Sequence, residues 1–349
     1  MNPAPSPEQP QPAPGRSLAI AVNSEVVSVP ADAPSLLAAL KAAGVFVPSA
    51  CGGHGICGLC RVIVQAGGGP LSPPETALLG EADRRAGYHL ACQVALREGL
   101  RIEIPPSYFQ AREYRAQLIA RRALTPDICE LRLQLLDPPE MAFEAGQFVQ
   151  IRIPPHGALR RTLYRPYSIA SAPGVSGLLE LEVKRVLNGT GSVYLCDRLP
   201  PDGRLVLNGP HGDFRLRPEP RNLLFVAGGS GMAPIKAMLL DMAARGDRRR
   251  ARYFFGACAA PDLFLLHEMQ ALESRLADFR FIPVLAEPPD GWRGETGLVT
   301  DALARRLDPA AGGQTDVYLC GSPAMIAACV SLLRKRAFDP KRIFYDAFA

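Results

Sequence analysis

Four cysteines carry the first chemistry that this chain offers. Residues 50–60 read A-C-G-G-H-G-I-C-G-L-C: five residues separate Cys51 from Cys57, two separate Cys57 from Cys60, and Cys92 follows after a further thirty-one. Three thiolates on one loop and a fourth from a distant segment suit two sulfide-bridged irons, a [2Fe–2S] cluster. Gly52, Gly53, Gly55 and Gly58 suit such a loop, because N–H groups turned toward the sulfurs call for φ > 0, where glycine alone is unstrained. Other readings fit less well. A structural zinc site pairs two C-x-x-C knuckles, and here there is one. A thioredoxin-like C-x-x-C leaves Cys51 and Cys92 without a role, and four unrelated core cysteines would not gather among so many glycines. His54 brings a Rieske site to mind, but four cysteines complete a ligand set, and it is expected as an exposed loop residue.

Glycine turns offer a second chemistry. Leu223 to Ala227 is a continuous apolar run, as in a strand buried on both faces. Gly228-Gly229-Ser230-Gly231-Met232-Ala233-Pro234 follows, and a helix is expected from about Pro234 to Ala244. Glycines between a buried strand and a helix N-terminus let a dinucleotide phosphate approach the backbone. The spacing is not G-x-G-x-x-G, which disfavours a standard Rossmann dehydrogenase. A strand at Arg252 to Gly256 keeps the βαβ rhythm, and another at Val317 to Leu319 leads into Cys320-Gly321-Ser322-Pro323 and a further helix. Upstream, Gly189-Thr190-Gly191-Ser192 opens a helix whose N–H groups can cradle a diphosphate.

These residues need elements to position them. Leu18 to Val22 and Glu25 to Val29 read as a hairpin turning at Asn23-Ser24, Ser35 to Ala43 as an amphipathic helix, and Arg61 to Gln65 and Leu100 to Ile104 as strands. Residues 113–219 are strand-rich with proline pairs at 138–139, 154–155 and 200–201, which argues for a small antiparallel barrel. The expected division is a Pro/Ala/Gln/Ser-rich disordered tail over 1–15, an iron–sulfur domain over 16–104, a linker over 105–112, the barrel over 113–219 and a nucleotide domain over 220–349. At 349 residues, 48% hydrophobic, 21% charged and a net charge of +5, the chain has the composition of a globular multidomain protein and no strong basic field for nucleic acid. The densest basic run, Arg248-Arg249-Arg250 with Arg252, reads as a solvated helix-to-strand connection. No stretch approaches the roughly 20 apolar residues of a membrane span, and the N-terminus has no signal-like apolar run, so a cytoplasmic location is expected; the chain is expected to be a monomer. Cys129, Cys196, Cys258 and Cys329 lie in apolar segments and are expected to be packing residues.

The cysteine loop and its flanking elements resemble a plant-type ferredoxin β-grasp domain, although the five-residue first gap departs from the plant pattern of four. Similar loops occur in the ferredoxin domain of the NADH-oxidising subunit of sodium-pumping NADH:quinone oxidoreductases and in some corrinoid-reactivating proteins. Arg165-Pro166-Tyr167-Ser168 resembles the R-x-Y-[ST] flavin motif of the ferredoxin–NADP reductase superfamily. Gly209-Pro210-His211-Gly212-Asp213-Phe214 resembles its G-P-x-G-x-F segment, residues 228–234 its G-G-x-G-x-[AT]-P turn, and Cys320-Gly321-Ser322-Pro323 its C-G-x-P. The resemblance implies that Arg165 pairs with an FAD pyrophosphate, that Tyr167 lies against the isoalloxazine, and that Ser168 hydrogen-bonds at its N5 edge. It also implies that Cys320 lies close to the nicotinamide, with Gly321 and Pro323 in the same segment. Phe348 stands where many relatives carry an aromatic over the flavin, and Asp346 where they carry an acid.

The implied fold is multidomain: an α+β β-grasp, an antiparallel FAD barrel and a parallel α/β nucleotide domain. The implied activity is electron transfer from NADH through FAD and [2Fe–2S] to a partner protein. NADH is favoured over NADPH because Gly256 to Pro261, after the second strand, holds no lysine or arginine to meet a 2′-phosphate. Candidate roles are a reductase component for an oxygenase or similar partner protein, a soluble relative of the sodium-pump quinone-reductase subunit, or an activator of a corrinoid or other metalloprotein through a cluster near roughly −400 mV. Residues 16–104 carry seven basic and seven acidic side chains, so docking is not expected to rest on a strongly acidic face.

Overall fold

The computed structural model describes residues 16–348, which form two compact units, one up to Arg112 and one from Glu113 onward. In the first unit, β1 (Ser17–Val22) and β2 (Glu25–Pro30) pair as the expected hairpin, with Asn23 at φ 56° in the turn. Helix α1 (Leu36–Ala42) follows, Ser35 accepting from the Ala38 N–H as its cap. Then come β3 (Arg61–Ala66), α2 (Pro73–Leu78), α3 (Glu81–Arg85), β4 (Tyr88–Leu90), β5 (Arg101–Glu103) and α4 (Ser107–Gln110). The sheet order is β2-β1-β5-β3-β4, with β1 and β5 parallel as a β-grasp requires. Leu36, Leu40, Leu90, Leu100 and Ile102 fill its core. The stretch 105–112, expected as a linker, carries α4, and Tyr108 and Phe109 pack on this core.

The second unit begins with β6 (Arg112–Ala123), β7 (Ile128–Asp137), β8 (Phe148–Ile153), β9 (Leu163–Ser168), β10 (Leu178–Lys184) and, after the short α5 (Thr190–Val193), β11 (Arg204–His211). Their order is β10-β7-β6-β11-β8-β9, with antiparallel pairing along β10-β7-β6 and along β11-β8-β9. An Ile169–Leu181 bridge ties the end of β9 to β10, so the sheet closes on a core of Leu131, Leu133, Val149, Ile151, Leu181 and Leu207.

The remainder is a parallel sheet: β12 (Asn222–Gly228), α6 (Met232–Ala244), β13 (Ala251–Ala259), α7 (Leu266–Arg275), β14 (Phe279–Glu287), β15 (Glu295–Thr296), α8 (Val299–Arg306), β16 (Thr315–Gly321), α9 (Pro323–Lys335) and β17 (Ile343–Ala347). Strand order is β15-β14-β13-β12-β16-β17. Helices α6 and α7 cover one face, where Ile235, Met238, Leu239 and Leu272 are buried, and α8 and α9 cover the other with Leu303, Ile326 and Leu333. Covering both faces is why β12 from Leu223 and β16 from Val317 onward are apolar. Between β14 and β15, the Trp292 indole N–H donates to the Glu295 carbonyl at 3.0 Å.

Two expectations are corrected here. Cys129 and Cys196 are not independent packing residues but a disulfide joining β7 to the helical turn at 194–198, and Cys258 is exposed; Cys329 is buried as expected. The pairing spans 67 residues and arises from barrel closure, which local composition does not reveal. The Arg248–Arg250 connection is not simply solvated. Arg249 is 16% exposed, ion-paired to Asp247 at 2.6 Å, and donates to the Arg217 and Glu219 carbonyls. The tail expected over 1–15 lies outside the described residues.

Candidate functional site

The cysteine loop is built by its glycines. Gly52, Gly53, Gly55 and Gly58 have φ of 72°, 93°, 69° and 68°. A Cβ on Gly55 would lie 2.7 Å from the Gln93 amide nitrogen and 3.2 Å from Pro74. That turn points N–H groups at sulfur, as with His54 N–H to Cys51 Sγ at 3.2 Å. Among the described residues no group of three or more His, Cys, Asp or Glu side chains is arranged to hold a single metal ion. The four cysteines act on one another instead in two pairs, Cys51 with Cys57 and Cys60 with Cys92. Two pairs of thiolates are what two bridged irons require, so the donor set fits a [2Fe–2S] cluster. Two of the four positions already favour anionic sulfur. At Cys51, burial opposes ionisation, but the N–H groups of Ile56, His54 and Cys57 and the Cys57 thiol outweigh it and bring the pKa to about 7. Cys92 is drawn down to about 6, chiefly by the Cys60 thiol, with help from Gln93 and the Gly55 N–H. Cys60 is pushed up by Cys92 and by burial.

Behind the loop lies a supporting layer that the sequence did not announce. Glu75 is 1% exposed. Its carboxylate accepts from the Ser72 N–H at 2.7 Å and the Leu90 N–H at 2.9 Å, and meets His89 Nδ1 at 3.0 Å. It thereby fixes the strand that ends just before Cys92. Ser72-Pro73-Pro74-Glu75 is a legible S-x-x-E helix start, and that signal could have placed α2. His54 is exposed, as expected, and so are Ile56 and Leu59 beside the cysteines.

In the barrel, β9 carries Arg165, Pro166, Tyr167 and Ser168 in sequence, with Ser168 buried. A Cβ on Gly191 would sit 2.7 Å from Arg165 Cγ and 3.1 Å from the Tyr167 hydroxyl. The Gly189–Ser192 turn therefore abuts the R-x-Y-S strand directly, and glycine is what permits it. Ser192 Oγ accepts from the Val186 N–H at 3.1 Å, pinning the turn. Burial raises the Tyr167 pKa, against the opposing effect of Arg165, so its hydroxyl stays neutral. A guanidinium beside a turn rich in N–H groups suits a diphosphate. Gln150, Asn208 and the interior position of His211 carry no local signal in the sequence and emerge only with strand pairing. Asn208 faces Gln150 in register, and His211 Nε2 lies 2.6 Å from Asn208 Oδ1. Burial draws His211 down to about 4.

The parallel sheet supplies the third part. β12 is followed to one side by β13, while β16 lies on its other side, so the crevice between β12 and β16 is where the strand order reverses. Open α/β sheets bind ligands outside the strand C-termini at that place. Gly228, Gly229, Ser230 and Gly231 leave β12 there, with Gly229 at φ 55°. Met232, Ala233 and Pro234 are buried in the first turn of α6. Parallel register sets Ala227 beside Cys320, and Cys320 beside Asp346. The Phe348 N–H donates to the Gly321 carbonyl at 2.9 Å, and Ser322 caps α9 ahead of Pro323. Four separately expected features, the glycine turn, Cys320, Asp346 and Phe348, thus meet at one crevice. Burial pushes the Cys320 thiol well up, with Asp346 and Glu182 adding to it, and burial raises Asp346 to about 6.

The 2Fe-2S iron-sulfur cluster binding domain family matches residues 20–97, the oxidoreductase FAD-binding domain family 115–216, and the oxidoreductase NAD-binding domain family 225–331. Those three domains in one chain define a flavo-iron–sulfur oxidoreductase that uses a nicotinamide dinucleotide. A Na(+)-translocating NADH-quinone reductase subunit from Idiomarina loihiensis is 30% identical over 353 residues, covering 90% of this chain and 86% of that protein. Its counterpart from Klebsiella pneumoniae is 29% identical, covering 94% and 91%. The chain belongs to the family of these Na(+)-translocating NADH-quinone reductase subunits. Among solved structures, the Amycolatopsis cytochrome P450 reductase GcoB superposes with a TM-score of 0.78 at 29% identity, covering 95% of this chain and 98% of that one. A ferredoxin reductase in carbazole 1,9a-dioxygenase gives 0.72 at 26% identity, covering 96% and 99%. Among the described residues no helix is long and apolar enough to cross a membrane.

Proposed function

We propose that this chain passes electrons from NADH through FAD and a [2Fe–2S] cluster to a partner protein, an oxygenase component or another metalloprotein. The observation that carries the reading is the meeting of the glycine turn, Cys320, Asp346 and Phe348 at the β12–β16 crevice, in the same unit as a barrel whose Arg165, Tyr167 and Gly191 touch. FAD, when bound, supplies the exchange between a two-electron nicotinamide and a one-electron cluster. In this reading Arg165 and the N–H groups of Gly189, Thr190, Gly191 and Ser192 hold the FAD diphosphate, with Pro166 fixing the strand between them. Tyr167 offers its ring and Ser168 its hydroxyl to the isoalloxazine. The turn from Gly228 to Gly231 binds the dinucleotide phosphates through its backbone. Cys320, Gly321 and Pro323 form the wall for the nicotinamide, Asp346 holds charge beside it, and Phe348 covers the flavin. Cys51, Cys57, Cys60 and Cys92 hold the cluster.

NADH is preferred in this reading because the turn after β13 holds no cation and presents Asp262, whose carboxylate accepts from the Ala259 N–H at 3.0 Å and would repel a 2′-phosphate. The similarity to P450 and dioxygenase reductases supports an oxygenase-type acceptor. Membership of the quinone-reductase family supports a second reading, in which the acceptor is a quinone-reductase assembly. An anaerobic NADH titration followed by optical and EPR spectra tests the core claim. Bleaching of flavin bands with a rhombic signal from a reduced [2Fe–2S] centre is expected. Bleaching by dithionite but not by NADH would refute the nicotinamide assignment.

A further inference from the structure

A dense knot of charge lies where the outer face of the barrel meets α6. On β10, Leu179, Leu181 and Val183 fill the barrel, so Glu180 and Glu182 face the other way; on β7, Leu131 and Leu133 face in, and Glu130 and Arg132 face out. The register sets Glu180 opposite Arg132, but Glu182 opposite Glu130. Like charges directly across a ladder repel. Lys236 of α6, 4% exposed, enters this face, with Nζ 3.1 Å from Glu180 and 3.8 Å from each of Glu130, Glu182 and Glu268 of α7. Arg122 of β6 reaches Glu130 at 2.9 Å and Glu268 at 3.4 Å; Arg132 reaches Glu130 at 3.3 Å and Glu180 at 3.0 Å.

Three cations therefore face four carboxyl groups, which leaves one negative charge in excess if all are ionised. The four are not equivalent. Glu130 and Glu180 accept hydrogen bonds from Arg122 and Lys236, and Glu268 is 44% exposed. The Glu182 side chain is 0% exposed, and neither of its oxygens has a hydrogen-bond partner among the described residues. From β13 and β16 it is faced by Tyr253, whose hydroxyl donates to Met232 Sδ, and by the Cys320 thiol, both neutral. A buried carboxylate without hydrogen bonds is too costly to keep ionised. A proton on Glu182 makes the knot neutral and removes its repulsion with Glu130.

We infer that Glu182 is a neutral carboxylic acid in the working protein, and that in this form it is the positioning residue that seats α6, and with it the Gly229–Gly231 turn, on the barrel. Burial raises the Glu182 pKa to about 8, with Lys236 opposing and Glu130, Glu268 and Glu180 adding. A buried acid with a raised pKa keeps its proton below that value and loses it above. Ionisation then puts an uncompensated charge into the joint, which opens to admit water. The effect on dinucleotide binding rests on the reading of the β12–β16 crevice given above; the effect on the joint does not.

The test uses the full chain with both cofactors bound, between pH 6.5 and 9.5. Amide exchange rates in α6 and β10, corrected for the intrinsic pH dependence of exchange, are expected to rise at least fivefold through the range in the wild type. The Kd for NADH should rise in parallel while the visible spectrum shows FAD retained. Glu182→Gln, a neutral mimic, is expected to match the wild type at pH 7 and to lose the alkaline rise. A flat wild-type exchange profile would overturn the inference without any variant. So would a Glu182→Gln chain with faster α6 exchange at pH 7, since Lys236 would then depend on an ionised Glu182. Absence of NADH binding at every pH would instead refute the crevice assignment, and the exchange profile would still decide the inference.

Discussion

Gly231→Ala puts the geometry of the nucleotide crevice under direct strain. Gly231 has φ −63° and ψ −10°, an ordinary helical conformation, so an alanine there suffers no backbone penalty. Its Cβ, however, would lie 2.3 Å from the Cys320 carbonyl oxygen and 2.6 Å from its carbon, about 1.1 Å short of the 3.4 Å at which ordinary contact begins. Both atoms are backbone in a central strand, so relief requires the glycine turn and the end of β16 to move apart. Overpacking of this kind costs about 1–3 kcal/mol. If most of that is expressed in binding, the Kd for NADH should weaken by about 5- to 150-fold. Calorimetric titration would measure it, with the visible spectrum confirming that FAD and cluster stay bound. Gly229→Ala is the control: its Cβ meets nothing within 4 Å, and at φ 55° it carries only the left-handed penalty of about 1 kcal/mol. Unchanged affinity and melting temperature in Gly231→Ala would refute the close approach of turn and strand.

Three further outcomes are expected. Cys92→Ser should lose the iron–sulfur absorbance and EPR signal while retaining FAD, because the two groups belong to separate units; concerted loss of both would count against that division. The raised pKa of Asp346 means that the native state holds its proton up to about pH 6, whereas the unfolded chain releases it near 4. Its contribution to stability therefore falls between those values and is level above, so the stability of Asp346→Asn relative to wild type should grow from pH 4 to 6 in denaturant titrations, and a constant difference would contradict the burial. Cys129→Ser should lower the stability of the second unit by about 2–4 kcal/mol, read by denaturant unfolding without reductant. Equal stability of variant and wild type would show that the bond is not formed.

Legibility followed sequence distance. The cysteine loop and the turns at 189–192 and 228–234 could be read because each is a run of adjacent residues whose glycines answer a local backbone demand. β12 and β16 showed as apolar runs because both faces are covered. What escaped depends on register between distant strands. Glu130 and Glu182 become neighbours only when β7 pairs with β10, and Lys236 joins them only when α6 docks. The Cys129–Cys196 bond needs the barrel to close before either residue has a partner. The two short helices at 73–78 and 81–85 are silent for a different reason: each is under two turns and too short for an apolar periodicity to develop, so only the capping residues betray them.

Trp292 is the single tryptophan of the chain, and it sits on the β14–β15 connection with its indole tied to the Glu295 carbonyl. Intrinsic tryptophan emission therefore reports from the dinucleotide lobe alone, whereas flavin absorption reports from the barrel and cluster absorption from the first unit. One denaturant series observed at three wavelengths would follow three parts of the molecule at once. Coincident curves would mean that the whole chain melts together, and staggered ones would rank the parts by stability, with no label introduced.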